Sequence, residues 1–134
     1  MNFDCRTYTL DEDGQPVPCC DLLKWAMWYE TSANEQKVAE TFTELMWIST
    51  VFLGTDHNFA GEGPPVLWET MVFDRHPHLA HMLGETREAF HDHDCWRWTS
   101  IEEAKAGHAE IVMDLIRKEQ ANAEVVRKVL EHAN

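Results

Sequence analysis

The sequence predicts an α+β fold: an antiparallel sheet of about four to six strands, with two main helices packed on one face. Three observations carry that prediction. Two apolar runs, residues 46–53 and 66–73, are joined by a glycine- and proline-rich loop, and neither has a strongly polar face. Residues 100 to about 131 carry apolar side chains at helical spacing behind a capping-box pattern, Ser100 with Glu103. The chain has 134 residues, 44% of them hydrophobic, which suffices for one core and one domain spanning 1–134.

From the N-terminus, residues 6–10 alternate polar and apolar side chains as a strand does, and Asp13-Gly14 favours a tight hairpin turn. Residues 15–19 return as a second strand. Pro16 and Pro18 lack amide donors and confine it to an edge. Asp21 caps a helix to about residue 31, whose stripe Leu22, Trp25, Ala26 and Tyr29 is expected to face the core. Residues 37–43 form a strand that turns at Glu44, and 46–53 returns as a central strand ended by Gly54. Residues 55–65 are a loop, and 66–73 is the next strand, with Glu69 costly in its middle unless partnered. Residues 74–95 form a histidine-rich insert with a short helix near 78–90, whose apolar residues are Leu79, Met82, Leu83 and Phe90. A last strand at 96–98 precedes the C-terminal helix, which has a break near 120–122. Its final turns, with Val126 and Leu130, are expected to project or to pack on a second subunit as a homodimer.

Charge is the most pronounced feature of the composition. The net charge is −13, and residues 1–74 hold 13 acidic and 3 basic side chains. Such a field repels phosphates and anionic lipid, so direct nucleic-acid or membrane binding is not expected. It attracts a basic patch on a protein partner, or it serves only to keep the chain soluble. No long uncharged apolar run exists, and the N-terminus has neither a basic nor an apolar leader region, so a soluble cytosolic protein is expected. That compartment favours free thiols for Cys5, Cys19, Cys20 and Cys95.

Residues 49–73, STVFLGTDHNFAGEGPPVLWETMVF, with Glu102-Glu103-Ala104-Lys105-Ala106-Gly107-His108, resemble a family of small tailed-phage proteins of unknown function. The pattern is STVFLGxDHxF, then GPPxLWETMVF, then EEAxAGH, and the likeness reaches to about residue 116. The chain departs from it at Thr43-Glu44-Leu45, where the family often has a glycine turn, and in the longer link at 74–95. The resemblance implies a phage setting and action in the host cell cytoplasm. It implies no activity.

Two constellations have the residue types for chemistry. Asp56 and His57 lie past a strand end, Glu69 lies on the neighbouring strand, and His108 shares the buried stripe of the last helix. If His108 approached the strands, His57, Glu69 and His108 could hold zinc or act as an acid–base pair in a small-molecule or nucleotide site. The bland reading has Asp56 capping the loop, His57 bonding its backbone, Glu69 paired at the sheet surface and His108 satisfied in the core. In the insert, alternate residues His91, His93 and Cys95 could share one face of an extended segment and bind zinc, although a solvated loop is the simpler reading. No spacing here matches a known metal or catalytic motif, and 61–65 is no phosphate loop. The expectation is therefore an accessory protein, not an enzyme and without a cofactor, that binds a host or phage protein through its acidic surface. A defence factor or a nucleic-acid-binding protein is the kind of target that surface would inhibit.

Overall fold

The computed structural model describes residues 5–86, 90 and 94–133. A hairpin of β1 (Tyr8–Leu10) and β2 (Pro16–Pro18) is followed by helix α1 (Leu22–Thr31) and one turn of helix, α2 (Ala33–Gln36). The main sheet comprises β3 (Lys37–Phe42), β4 (Met46–Phe52), β5 (Trp68–Asp74) and β6 (Cys95–Trp98). A 3-10 segment (Pro77–Thr86) lies between β5 and β6. Helices α3 (Ile101–Ala121) and α4 (Ala123–His132) complete the chain.

The four main strands are antiparallel throughout, in the order β3-β4-β5-β6, so β4 and β5 are central as their two-sided apolarity requires. The first hairpin forms a separate two-stranded sheet. It is tied to the main sheet's β4 end by a bridge between Thr7 and Thr55 and by the bond from the Tyr8 amide to the Gly54 carbonyl.

Strand alternation divides the main sheet cleanly. Met46, Ile48, Thr50 and Phe52 of β4 share the inner face with Trp68, Thr70 and Val72 of β5, and all seven are buried. Helix α3 covers this face through Ala104, Gly107, His108, Leu115 and Glu119. Beyond the sheet's end, Val126 and Val129 of α4 pack with Leu83 and Phe90 around Met46 and Leu45. The α4 stripe expected to meet a second subunit is thus covered within the chain. The insert is no simple solvated loop either, since its apolar residues complete this core.

Helix α1 is capped by Asp21, whose carboxylate accepts from the amides of Leu23 and Lys24, as its sequence predicts. Its packing is shallower than predicted. Trp25 and Trp28 reach inward, Trp28 edge-on to Phe52, while Leu22, Leu23 and Met27 stay exposed. Trp25 donates its indole N–H to the carbonyls of Tyr8 and Gly54. Gly54 adopts φ 77°, which favours glycine, and a Cβ there would crowd the Tyr29 ring at 3.0 Å.

Cys5 and Cys20 are joined by a disulfide, with Cα atoms 5.3 Å apart, in place of the free thiols expected there. The hairpin is responsible. Thr7 bonds Cys19 through both backbone and side chain, so residues two steps before and one step after that pair come alongside. Cys19 and Cys95 remain free.

Close approach of α3 to β6 depends on Gly107, where any Cβ would lie inside the Trp98 ring. Gly107→Ala would ordinarily strengthen a helix by about 1 kcal/mol. Here it should destabilise the protein by about 1–3 kcal/mol in urea unfolding, the usual range for overpacking. An unchanged or raised midpoint would show that the helix and Trp98 do not sit this close.

Candidate functional site

The loop after β4 consumes its own polar groups. One carboxylate oxygen of Asp56 accepts from the amides of Asn58 at 2.8 Å and Val66 at 2.9 Å, which closes the loop on itself. His57 bonds through Nδ1 to the Thr55 carbonyl at 2.9 Å, and its amide donates to the Val66 carbonyl. Asn58 donates to the carbonyls of Glu62 and Pro64, and Arg6 donates to those of Asp56 and Asn58. Every one of these contacts positions backbone.

Glu69 lies opposite Val51 and Arg97 on the outer face of the sheet. Its carboxylate pairs with the Arg97 guanidinium at 3.0 Å and accepts from the Cys95 thiol at 3.4 Å. Burial and, after it, the adjacent Glu69 carboxylate push the Cys95 thiol above its ordinary pKa, so it is held as the less reactive thiol.

His108 is on the other side of the sheet. It is 6% exposed and enters a chain of hydrogen bonds that involves all four strands of the main sheet. Trp98 Nε1 donates to Thr70 Oγ1 at 2.9 Å, and Thr70 and Thr50 share a bond of 2.5 Å. Thr50 Oγ1 lies 2.7 Å from His108 Nδ1, and Thr41 Oγ1 lies 2.8 Å from His108 Nε2. An indole nitrogen only donates, so Thr70 accepts there and passes its own hydrogen to Thr50. Thr50 then donates to Nδ1, which must be bare, and Nε2–H donates to Thr41. The opposite direction would leave the Thr70 hydroxyl hydrogen without an acceptor among the described residues, in a side chain of 0% exposure. The chain therefore selects neutral His108 protonated on Nε2, and burial lowers its pKa below the ordinary imidazole value.

His57, Glu69 and His108 are thus not brought together. Glu69 and Thr70 are neighbours on one strand and point to opposite faces, and the helix lies on the Thr70 side. Among the described residues, no group of three or more His, Cys, Asp or Glu side chains is placed to hold a metal ion. His91 and His93 lie outside the described residues, and Cys95 bonds Glu69.

A second buried polar junction was not anticipated. Glu119, 6% exposed, receives the Thr43 hydroxyl at 2.8 Å and the amides of Glu44 at 3.1 Å and Leu45 at 3.0 Å. A carboxylate from α3 thereby caps the β3–β4 turn, which lacks the glycine that such a tight connection often uses. Beside it, a groove of about 830 Å³ runs between this turn and the α3–α4 break. Several of its charged groups are engaged inside the chain. Arg75 donates to the Thr43 carbonyl and covers the Phe42 ring, and Arg127 bridges Glu124 and Glu131. Sequence signals for these junctions existed. Thr50 and Thr70 are hydroxyls midway along otherwise apolar faces, and Glu119 falls four residues after Leu115 on the buried stripe.

Comparison with family models, with curated proteins and with solved structures finds no match.

The sign of the His108 effect follows from linkage. Its folded pKa lies below the unfolded value of about 6.5, so the unfolded chain binds the extra proton first on acidification. The stabilisation is complete above that unfolded value and is lost as pH falls toward the folded pKa. Urea midpoints should therefore drop between about pH 7 and pH 5. His108→Leu should be less stable at pH 7 yet show a flatter profile through that window. A variant with the same slope as the parent would remove His108 as its source.

Proposed function

We propose that this chain is a phage-encoded accessory protein that works in the host cytoplasm by binding a host or phage protein, with an acidic surface as the contact. It acts by occupying a surface, without catalysis. A basic partner suits it best, including one whose basic face ordinarily holds nucleic acid, such as a defence factor. One observation carries this reading. The acidic side chains of the N-terminal half stand at the surface, Asp11, Glu12, Asp13, Asp21, Glu30, Glu35, Glu44 and Glu62 all being exposed. Basic side chains there number only 3. By contrast, the His and carboxylate groups with chemical potential are spent on structure.

The densest acidic region is the β1–β2 turn. Gln15 reaches from it to Glu102 in the first turn of α3, setting Asp11, Glu12 and Asp13 beside Glu102 and Glu103. The turn's shape uses one carboxylate only: Asp11 accepts from the amides of Asp13 and Gln15. Glu12 and Asp13 can be changed without that loss.

Affinity capture from host lysate with the full chain should retain a partner at about 0.05 M salt and release it near 1 M, where screening shortens to about 3 Å. The double variant Glu12→Lys with Asp13→Lys should weaken capture at low salt, while its melting temperature stays near the parent's. Capture indifferent to both salt and charge reversal would sink the acidic-contact reading.

A further inference from the structure

The outer face of the main sheet has no covering element among the described residues. It bears Lys37, Glu40 and Phe42 of β3, Trp47, Ser49 and Val51 of β4, Glu69, Met71 and Phe73 of β5, and Cys95 and Arg97 of β6. Down one end runs an aromatic strip. Phe42 stacks on Trp47 with centroids 6.1 Å apart, and Trp47 meets Phe73 at 4.9 Å. Phe42 is 55% exposed and Phe73 37%. Val51 and Met71 continue the apolar surface. An open sheet face of this kind ordinarily marks an interface.

Its charge is unlike that of the rest of the molecule. Over the whole chain, 24 acidic side chains face 11 basic ones. On this face Glu40 pairs with Lys37 at 2.8 Å and Glu69 with Arg97 at 3.0 Å, while Arg75 lies over the Phe42 ring at its rim. Acidic groups therefore do not outnumber basic ones, and both carboxylates are compensated. A basic protein partner gains nothing from such a surface. A second acidic chain, repelled wherever uncompensated carboxylates meet, can approach here. The sheet's edges are less suited to self-pairing: β3 carries a register irregularity between Lys37 and Ala39, and β6 has only 4 residues.

We infer that the outer sheet face, centred on Phe42, Trp47 and Phe73, packs against the same face of a second copy of this chain. The contact is a two-fold one in which each aromatic strip covers apolar surface of the other. Four strands about 4.8 Å apart and about 23 Å long give a footprint of roughly 400 Å² per copy, which is small for a specific interface. The dimer is accordingly weak and reversible, with a dissociation constant on the order of 100 µM. Because each copy carries a net charge of −13 away from the contact, added salt strengthens association rather than weakening it.

Sedimentation equilibrium of the full chain from about 10 µM to about 1 mM tests this, at about 0.02 M and about 0.5 M salt. The average mass should rise toward that of a dimer with concentration, and more steeply at the higher salt. Phe42→Lys and Phe73→Lys, at exposed positions, should each hold the chain monomeric at about 1 mM with parental circular dichroism and melting. Leu23→Lys with Met27→Lys, on the exposed side of α1, should leave the dimer intact. A monomer throughout overturns the inference, leaving the face for some other protein. So does a dimer abolished only by the α1 variant, or one that salt dissociates. None of these results bears on the acidic contact, which is read by the captured partner and its salt release.

Discussion

The seating of α3 on the sheet depends on polar groups that are buried and fully partnered. Helix and sheet touch through Ala104 and Leu115, as any amphipathic helix would, but His108 and Glu119 set the register. His108 bonds Thr50 and Thr41, and Glu119 bonds the 43–45 turn. A shift of one helical turn, about 5.4 Å, would strand both groups away from water. Apolar contacts alone tolerate such sliding far better, so these two groups confer specificity rather than bulk stability. Gly107 completes the seat, because only a residue without a Cβ lets His108 come close enough past Trp98.

This arrangement explains why the chemistry suggested by residue types does not assemble. Residue types are visible in a sequence, and strand parity nearly so, since adjacent Glu69 and Thr70 had to point to opposite faces. Which of the two faces the helix would cover is a tertiary fact. Thr70, not Glu69, turned out to lie beneath His108. The capping of α1 by Asp21, the central place of β4 and β5 and the break at Asn122 were legible, being governed by local propensity and periodicity, whereas the helix expected near 78–90 is a 3-10 segment over Pro77–Thr86 kinked at Gly84. Packing of α1 was not, because its stripe of large side chains looks the same whether a partner surface is present or missing. The Cys5–Cys20 bridge was likewise beyond local rules. It follows from the hairpin register, Tyr8 opposite Pro18, and not from cysteine spacing.

Charge and burial are divided between the two sides of the molecule in a consistent way. Ionisable groups inside are either neutral, as His108 is, or fully bonded, as Glu119 is. Those on the outer face are paired in two short ion pairs. The excess negative charge is left on the hairpin, α1, the 55–65 loop and the first turn of α3, where Asp11, Asp21 and Asp56 bond backbone amides and Glu12, Asp13, Glu30 and Glu62 stand exposed. Exposed ion pairs contribute little to stability, so the pairing on the outer face is better understood as removal of charge from an apolar surface. Uncompensated carboxylates beside Phe42, Trp47 and Phe73 would keep that surface hydrated and solitary.

Two surfaces of opposite character make different demands on what they meet. The field of the acidic periphery extends over a Debye length, about 10 Å at 0.1 M salt, and would steer the basic partner proposed above before contact. The aromatic strip acts only when water is excluded, and it works best when long-range repulsion is screened. The two therefore respond to salt with opposite sign, and one can be occupied without displacing the other. If both proposed contacts form, a dimer would present paired copies of the acidic periphery to one basic target. Bivalent presentation multiplies a weak electrostatic contact through effective concentration, on the order of millimolar for closely linked sites, without any new chemistry in the chain.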